Sequence, residues 1–117
     1  MAYMKTGLWL LATAIIFGAF GVHGLQALVT PERLETWETV VRYHAWISLF
    51  LIAIAWTSFQ ISDWVYRLVV FGLLVFSGSL YLLVLFDTPL LGAITPIGGI
   101  LMITGIVTAA ITCRSPD

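Results

Sequence analysis

Residues 65–86 read VYRLVVFGLLVFSGSLYLLVLF, and after Arg67 at the start the stretch holds no charged side chain. A helix of about 20 residues at 1.5 Å rise per residue crosses the roughly 30 Å hydrocarbon core of a bilayer, and this stretch has that length. Comparable apolar runs cover residues 6–29, 40–60 and 91–112. The expected fold is all-α, a bundle of four transmembrane helices. Only 9% of the 117 residues are charged and 61% are hydrophobic, whereas about a quarter of a soluble domain is charged. The connectors, about 30–39, 61–64 and 87–90, are too short to fold separately, so residues 1–117 read as one domain. A formal charge of −1 argues against nucleic acid as a partner. The single cysteine, Cys113, has no partner for an internal disulfide.

Lys5 ahead of an apolar run gives the first segment the outline of a secretory signal. Its run is longer than the 7 to 15 residues of a signal's apolar region, and no A-x-A-like site closes it, so it is read as a retained span. With four spans both termini lie on one side. That side carries Lys5, Arg67 and Arg114, while the other carries Arg33 and Arg42 beside Glu32, Glu35, Glu38 and Asp87. Basic residues favour the cytoplasmic face, and acidic ones count little, so both termini are expected in the cytoplasm. Tyr3, Trp9, Trp64 and Tyr66 fit an aromatic belt on the terminal side, and Trp37, Tyr43 and Trp46 one on the outer side.

Three Thr-Pro steps, at Thr30-Pro31, Thr88-Pro89 and Thr95-Pro96, mark helix starts, because threonine caps free amides and proline suits the first turn. The second helix accordingly runs over 31–60, with Glu38 and Arg42 spaced to pair on its outer part. The fourth begins either near Leu91, with Pro96 kinking it, or at Thr95, with irregular backbone before it. Small residues mark close helix approaches: Ala14, Gly18 and Gly21 form one stripe on the first helix, and Ala12, Ala19, His23 and Ala27 a second, so that helix is expected to be contacted on two sides. Gly72 and Ser79 on the third helix do the same, as do Gly92, Thr95 and Gly99 and a second row of Gly98 and Gly105 on the fourth.

Ionisable groups inside a membrane segment are costly and point to function. His23, His44, Tyr81, Arg42 and Thr95 all fall in the outer half of the expected bundle, and they form its candidate ligand site. The leading reading is structural, with each imidazole bonding a neighbouring carbonyl, hydroxyl or carboxylate, and His23 buried against this cluster. Haem or metal ligation by the two imidazoles, and a quinone headgroup held between His and Tyr, are alternatives. Ionisable groups stop halfway through the membrane, which argues against a proton relay within one subunit. No nucleophile adjoins a base, and neither HExxH nor a phosphate-cradling glycine loop is present, so no enzymatic activity is expected.

Four separated motifs, GAFGVHGL at 18–25, ETVVRY at 38–43, SGSLY at 77–81 and TPIGG at 95–99, together resemble the YgdD/YwdK-like family of small bacterial inner-membrane proteins. The resemblance covers nearly the whole chain. It implies a four-helix, multi-pass protein of the inner membrane with no established molecular role. Here His44 directly follows Tyr43, and Ile47 stands where the family typically has a histidine, with glutamine after the Arg-Tyr pair. The two positions share a helix face, but the shift weighs against His44 as a rigid metal ligand. The sequence therefore supports a structural or accessory component of a membrane assembly, or a binder of a lipid or small hydrophobic ligand. Its expected partners are the bilayer and either further copies of the chain or a larger membrane complex. A redox-associated haem or quinone binder and transport through an oligomer are the alternatives.

Overall fold

A computed structural model describes residues 1–116. Four helices account for most of the chain: α1, Ala2–His23; α2, Pro31–Trp56; α3, Asp63–Phe86; and α4, Thr95–Thr112. Short 3-10 turns occupy Leu25–Ala27 and Pro89–Ala93. All four spans are long and apolar enough to cross a membrane. Each packs chiefly on its neighbour in sequence, α1 on α2 and α3 on α4, with α2 joining the two pairs.

The helix ends follow from local chemistry. Thr30 caps α2, its hydroxyl accepting from the Arg33 amide at 3.2 Å, and Pro31 occupies the first turn where its missing N–H costs nothing. The other two Thr-Pro steps do not cap. Thr88 donates to the Phe86 carbonyl at 3.1 Å, and Thr95 is the first residue of α4 with its hydroxyl directed at Ser79. α4 thus takes the later of the two expected starts, with the Pro89–Ala93 turn as the irregular segment before it. Ser62 caps α3, accepting from the Trp64 amide at 3.2 Å. α2 ends at Trp56 rather than at residue 60, because Gln60 leaves the helix to exchange backbone hydrogen bonds with Arg114 at 2.9 and 3.1 Å. α3 closes on Asp87 in the left-handed region (φ 49°), a conformation that Asp tolerates better than most residues. Arg33 donates to the same Asp87 carboxylate at 2.9 Å, tying the start of α2 to the end of α3.

Glycines set the closest approaches. A Cβ on Gly98 would lie 2.6 Å from the Gly72 carbonyl oxygen and 2.8 Å from Phe76 Cα, and one on Gly72 would lie 2.8 Å from the Gly98 carbonyl oxygen. The α3–α4 seam therefore runs along Gly72, Gly98 and Gly105. The Gly92 and Gly99 row lies aside from it, with Gly99 at 3.9 Å from the nearest atom a Cβ would meet. On α1 the packed face carries Gly7, Ala14 and Gly21. Gly18 is half-buried, and a Cβ there would meet only Val41, at 3.3 Å. Within a single chain the expected second contact face of α1 meets no neighbouring helix, since Ala12, Ala19, His23 and Ala27 are all exposed. α1 packs chiefly against α2 and meets α3 through side chains such as Tyr3, stacked on Tyr66 at 4.1 Å.

Candidate functional site

The apolar interior divides into two clusters. One toward the terminal side is built on Leu51, Val65, Val69, Leu73 and Met102, and one toward the outer side on Leu25, Trp37, Val40, Tyr81 and Val84. The polar site belongs to the outer cluster. Trp37 is 2% exposed, seated over Gly21, where a Cβ would be 2.7 Å from the indole. Its N–H donates to the Phe17 carbonyl at 2.8 Å, a bond between α2 and α1. The belt role expected for Trp37 is thus corrected: a glycine on the facing helix gave the ring room, and an α1 carbonyl gave its N–H a partner. Trp9, Trp46 and Trp64 are exposed, as a belt requires.

About two turns below Trp37 on α2, His44 is 4% exposed and lies between α1 and α3. Its Nδ1 is 2.8 Å from the Tyr81 hydroxyl. Tyr81 is held from two sides, by Phe17 edge-on at 4.8 Å and Trp37 at 4.7 Å between ring centres. The phenol makes no other hydrogen bond among the described residues, so it satisfies itself only by donating to Nδ1, which assigns the ring proton to Nε2. The Leu10 carbonyl looks onto this ring but does not meet hydrogen-bond geometry with Nε2. On α3, one turn before Tyr81, Ser77 is 5% exposed, and its hydroxyl likewise finds no partner among the described residues. Both residues line a cleft of about 210 Å³ between α1 and α3. Buried polar groups are nearly always hydrogen-bonded, so two orphaned atoms on one cleft are a local departure from the rule.

The other expected site residues are dispersed. Thr95 bonds Ser79 at 2.6 Å while Ser79 lies 3.0 Å from the Phe76 carbonyl. Both hydroxyls are satisfied when Thr95 donates to Ser79 and Ser79 to Phe76, a clasp on the α3–α4 seam away from the His44 cleft. Arg42 is exposed, and it forms no ion pair with Glu38. His23 is the last residue of α1 and is exposed, which corrects its expected burial in the cluster. α1 was expected to continue to Val29. Instead the chain turns at Gly24 and drives Leu25, 2% exposed, into the core. Gly21 sits opposite Trp37, so in antiparallel helices His23 lies two residues outward and His44 seven residues inward, about 13 Å apart along the axis. A metal takes imidazole nitrogen at about 2 Å, so the two histidines do not share one axial pair. Ser77 was the residue missed, although it stands four before Tyr81 within SGSLY and shares its face.

A multi-pass membrane bundle with a mainly apolar cleft between α1 and α3, lined by His44 and Ser77, is the class that this geometry defines. The model of the family described as a protein of unknown function (DUF423) matches residues 17–99, and the chain belongs to that family. It is 44% identical over 95 residues to a UPF0382 membrane protein of Staphylococcus saprophyticus, covering 79% of each chain. It is 38% identical over 109 residues to the UPF0382 membrane protein YwdK of Bacillus subtilis, covering 84% of this chain and 86% of the relative. No solved structure matches. The chain is accordingly a membrane protein.

Proposed function

We propose that the protein binds a small hydrophobic ligand of the bilayer in the cleft between α1 and α3, as a non-enzymatic accessory component of the bacterial inner membrane. The observation that carries this reading is that His44 and Ser77, whose Nε2 and Oγ are buried without a hydrogen-bond partner, both line one mainly apolar cleft. Ligand sites in proteins combine an apolar lining with a few placed polar groups, and helix bundles place them between helices. Gly78, beside Ser77, leaves the cleft open: a Cβ there would meet nothing within 4 Å. Support for both termini being cytoplasmic is the basic count, Lys5, Arg67 and Arg114 against Arg33 and Arg42. Assembly with further copies or other subunits is part of the same proposal, supported by the exposed small-residue face of α1 at Ala12 and Ala19.

The test compares the native protein with Gly78→Leu, both extracted in mild detergent and examined by native mass spectrometry. The native protein is expected to retain a small hydrophobic molecule in near-stoichiometric amount, and the leucine to displace it. The same bound complement in both proteins would overturn the reading.

A further inference from the structure

The orphaned groups specify more than a hydrophobic ligand. With Tyr81 donating to Nδ1, His44 keeps Nε2–H as an unpaired donor in the wall of the cleft, and Ser77, in the same wall, keeps a hydroxyl that has not taken a carbonyl of its own helix. No Asp, Glu, Lys or Arg lines this cleft. Two neutral donors in an uncharged, water-poor space match an uncharged acceptor with two lone pairs, which is a carbonyl oxygen. A carboxylate or phosphate there would be a buried charge without a counter-ion, which is expensive.

A second opening continues the first. A groove of about 280 Å³ lies on the same side of α3 and shares Leu74 with the cleft, its walls including Tyr3, Val70 and Phe71. From Leu74 to Tyr66 the α3 surface descends eight residues, about 12 Å. The polar end is small: about 210 Å³ exceeds the roughly 150 Å³ engineered cavity that takes up benzene, so one six-membered ring fits. Phe17 and Tyr81 present aromatic surface to that ring.

Resting on the ligand-binding reading above, we infer that the ligand is an uncharged carbonyl-bearing ring with a long apolar tail, of the quinone class. One carbonyl oxygen accepts from His44 Nε2–H and Ser77 O–H, and the tail lies along the α1–α3 seam past Leu74. Tyr81 is a positioning residue, since its hydrogen bond fixes the imidazole tautomer that makes Nε2 a donor.

The full-length protein in lipid nanodiscs tests this with two probes, decylubiquinone and decylbenzene, the second having ring and tail without carbonyls. Decylubiquinone is expected to bind more tightly, with one carbonyl stretch moved to lower frequency in the infrared. Ser77→Ala should weaken decylubiquinone about 5- to 10-fold, as loss of one hydrogen bond does, and leave decylbenzene unchanged. The same variant should raise the melting temperature of the ligand-free protein, because it removes a buried hydroxyl without a partner; a serine kept only for the bundle's stability would show the reverse. Equal affinity for both probes with an indifferent Ser77→Ala would overturn the carbonyl assignment and leave the hydrophobic-ligand reading standing. Binding of neither probe, together with a Gly78→Leu protein that carries the same bound lipids as the native one, would overturn both.

Discussion

The imidazole of His44 and the phenol of Tyr81 meet at 2.8 Å across the α2–α3 contact, with both side chains more than nine-tenths buried. Because each is the other's polar partner, their contributions to stability are coupled. Tyr81→Phe strands Nδ1 in an apolar site and should cost about 1 to 3 kcal/mol, the usual penalty for an unsatisfied buried group. His44→Phe should cost a similar amount. The double variant should cost less than the sum by at least about 0.5 kcal/mol, as residues in direct contact do. Equilibrium unfolding in mixed micelles measures all three, and strict additivity would show that the bond contributes nothing.

The two adjacent glycines at the start of α4 should respond oppositely to the same change. Gly98→Ala forces a methyl group against the backbone of α3 at Gly72 and Phe76, where no side chain can swing aside, and overpacking of this kind costs about 1 to 3 kcal/mol. Gly99→Ala points at Phe76 across 3.9 Å, an ordinary contact, and should stay within about 0.5 kcal/mol of the native protein or gain from alanine's better helix propensity. Melting temperatures of the pair in one detergent decide the matter. Equal losses would mean that the α3–α4 seam does not pass between these residues.

What could be read without coordinates was what depends on length, charge and local chemistry. The spans, the Thr30 cap and the irregular backbone before α4 follow from chain-local rules, and the structure contains them. Which face of a helix meets which neighbour is not local. The spacing of Ala12, Ala19 and Ala27 is as regular as that of Gly7, Ala14 and Gly21, yet only the second row is packed, because α1 has one neighbouring backbone and not two. His23 was misplaced for a related reason: the burial of Leu25 ended α1 six residues early, turning an expected interior histidine into a terminal one. His44 and Tyr81 were legible as members of one outer-half cluster with His23, Arg42 and Thr95, but not as a bonded pair. Ser77 was not, since serine in a membrane helix ordinarily bonds its own backbone, and only coordinates reveal that this one does not.

Asp87 combines two roles that substitutions can separate. Its left-handed backbone closes α3, and its carboxylate accepts from Arg33 at 2.9 Å, with the carboxylate side chain 79% exposed. Asp87→Asn keeps a residue that tolerates positive φ and removes only a solvated ion pair, so the expected loss is about 0 to 1 kcal/mol. Asp87→Val puts a β-branched residue in the left-handed region and should cost about 1 to 2 kcal/mol more. Unfolding at low and high salt separates the contributions. The Asn variant's deficit should shrink with salt, and the additional Val deficit should persist. A Val variant as stable as the Asn variant would show that the turn does not require this backbone conformation.

Orientation in the membrane rests on a margin of one basic residue, so it should be both measurable and easily disturbed. Four spans put the termini on one side. Lys5, Arg67 and Arg114 belong to that side, and Arg33 and Arg42 to the other. A fluorescent protein fused after residue 117 should glow and an alkaline phosphatase fused there should be inactive, the signature of a cytoplasmic terminus. Glu35 and Glu38 lie near the outer start of α2, where replacing both with lysine raises the outer basic count above the inner one. Such a variant should give mixed reporter signals or reversed ones, because the bias that orients the bundle has changed sign. An active phosphatase on the native sequence would reverse the assignment of faces while leaving the His44 cleft between α1 and α3 where it is.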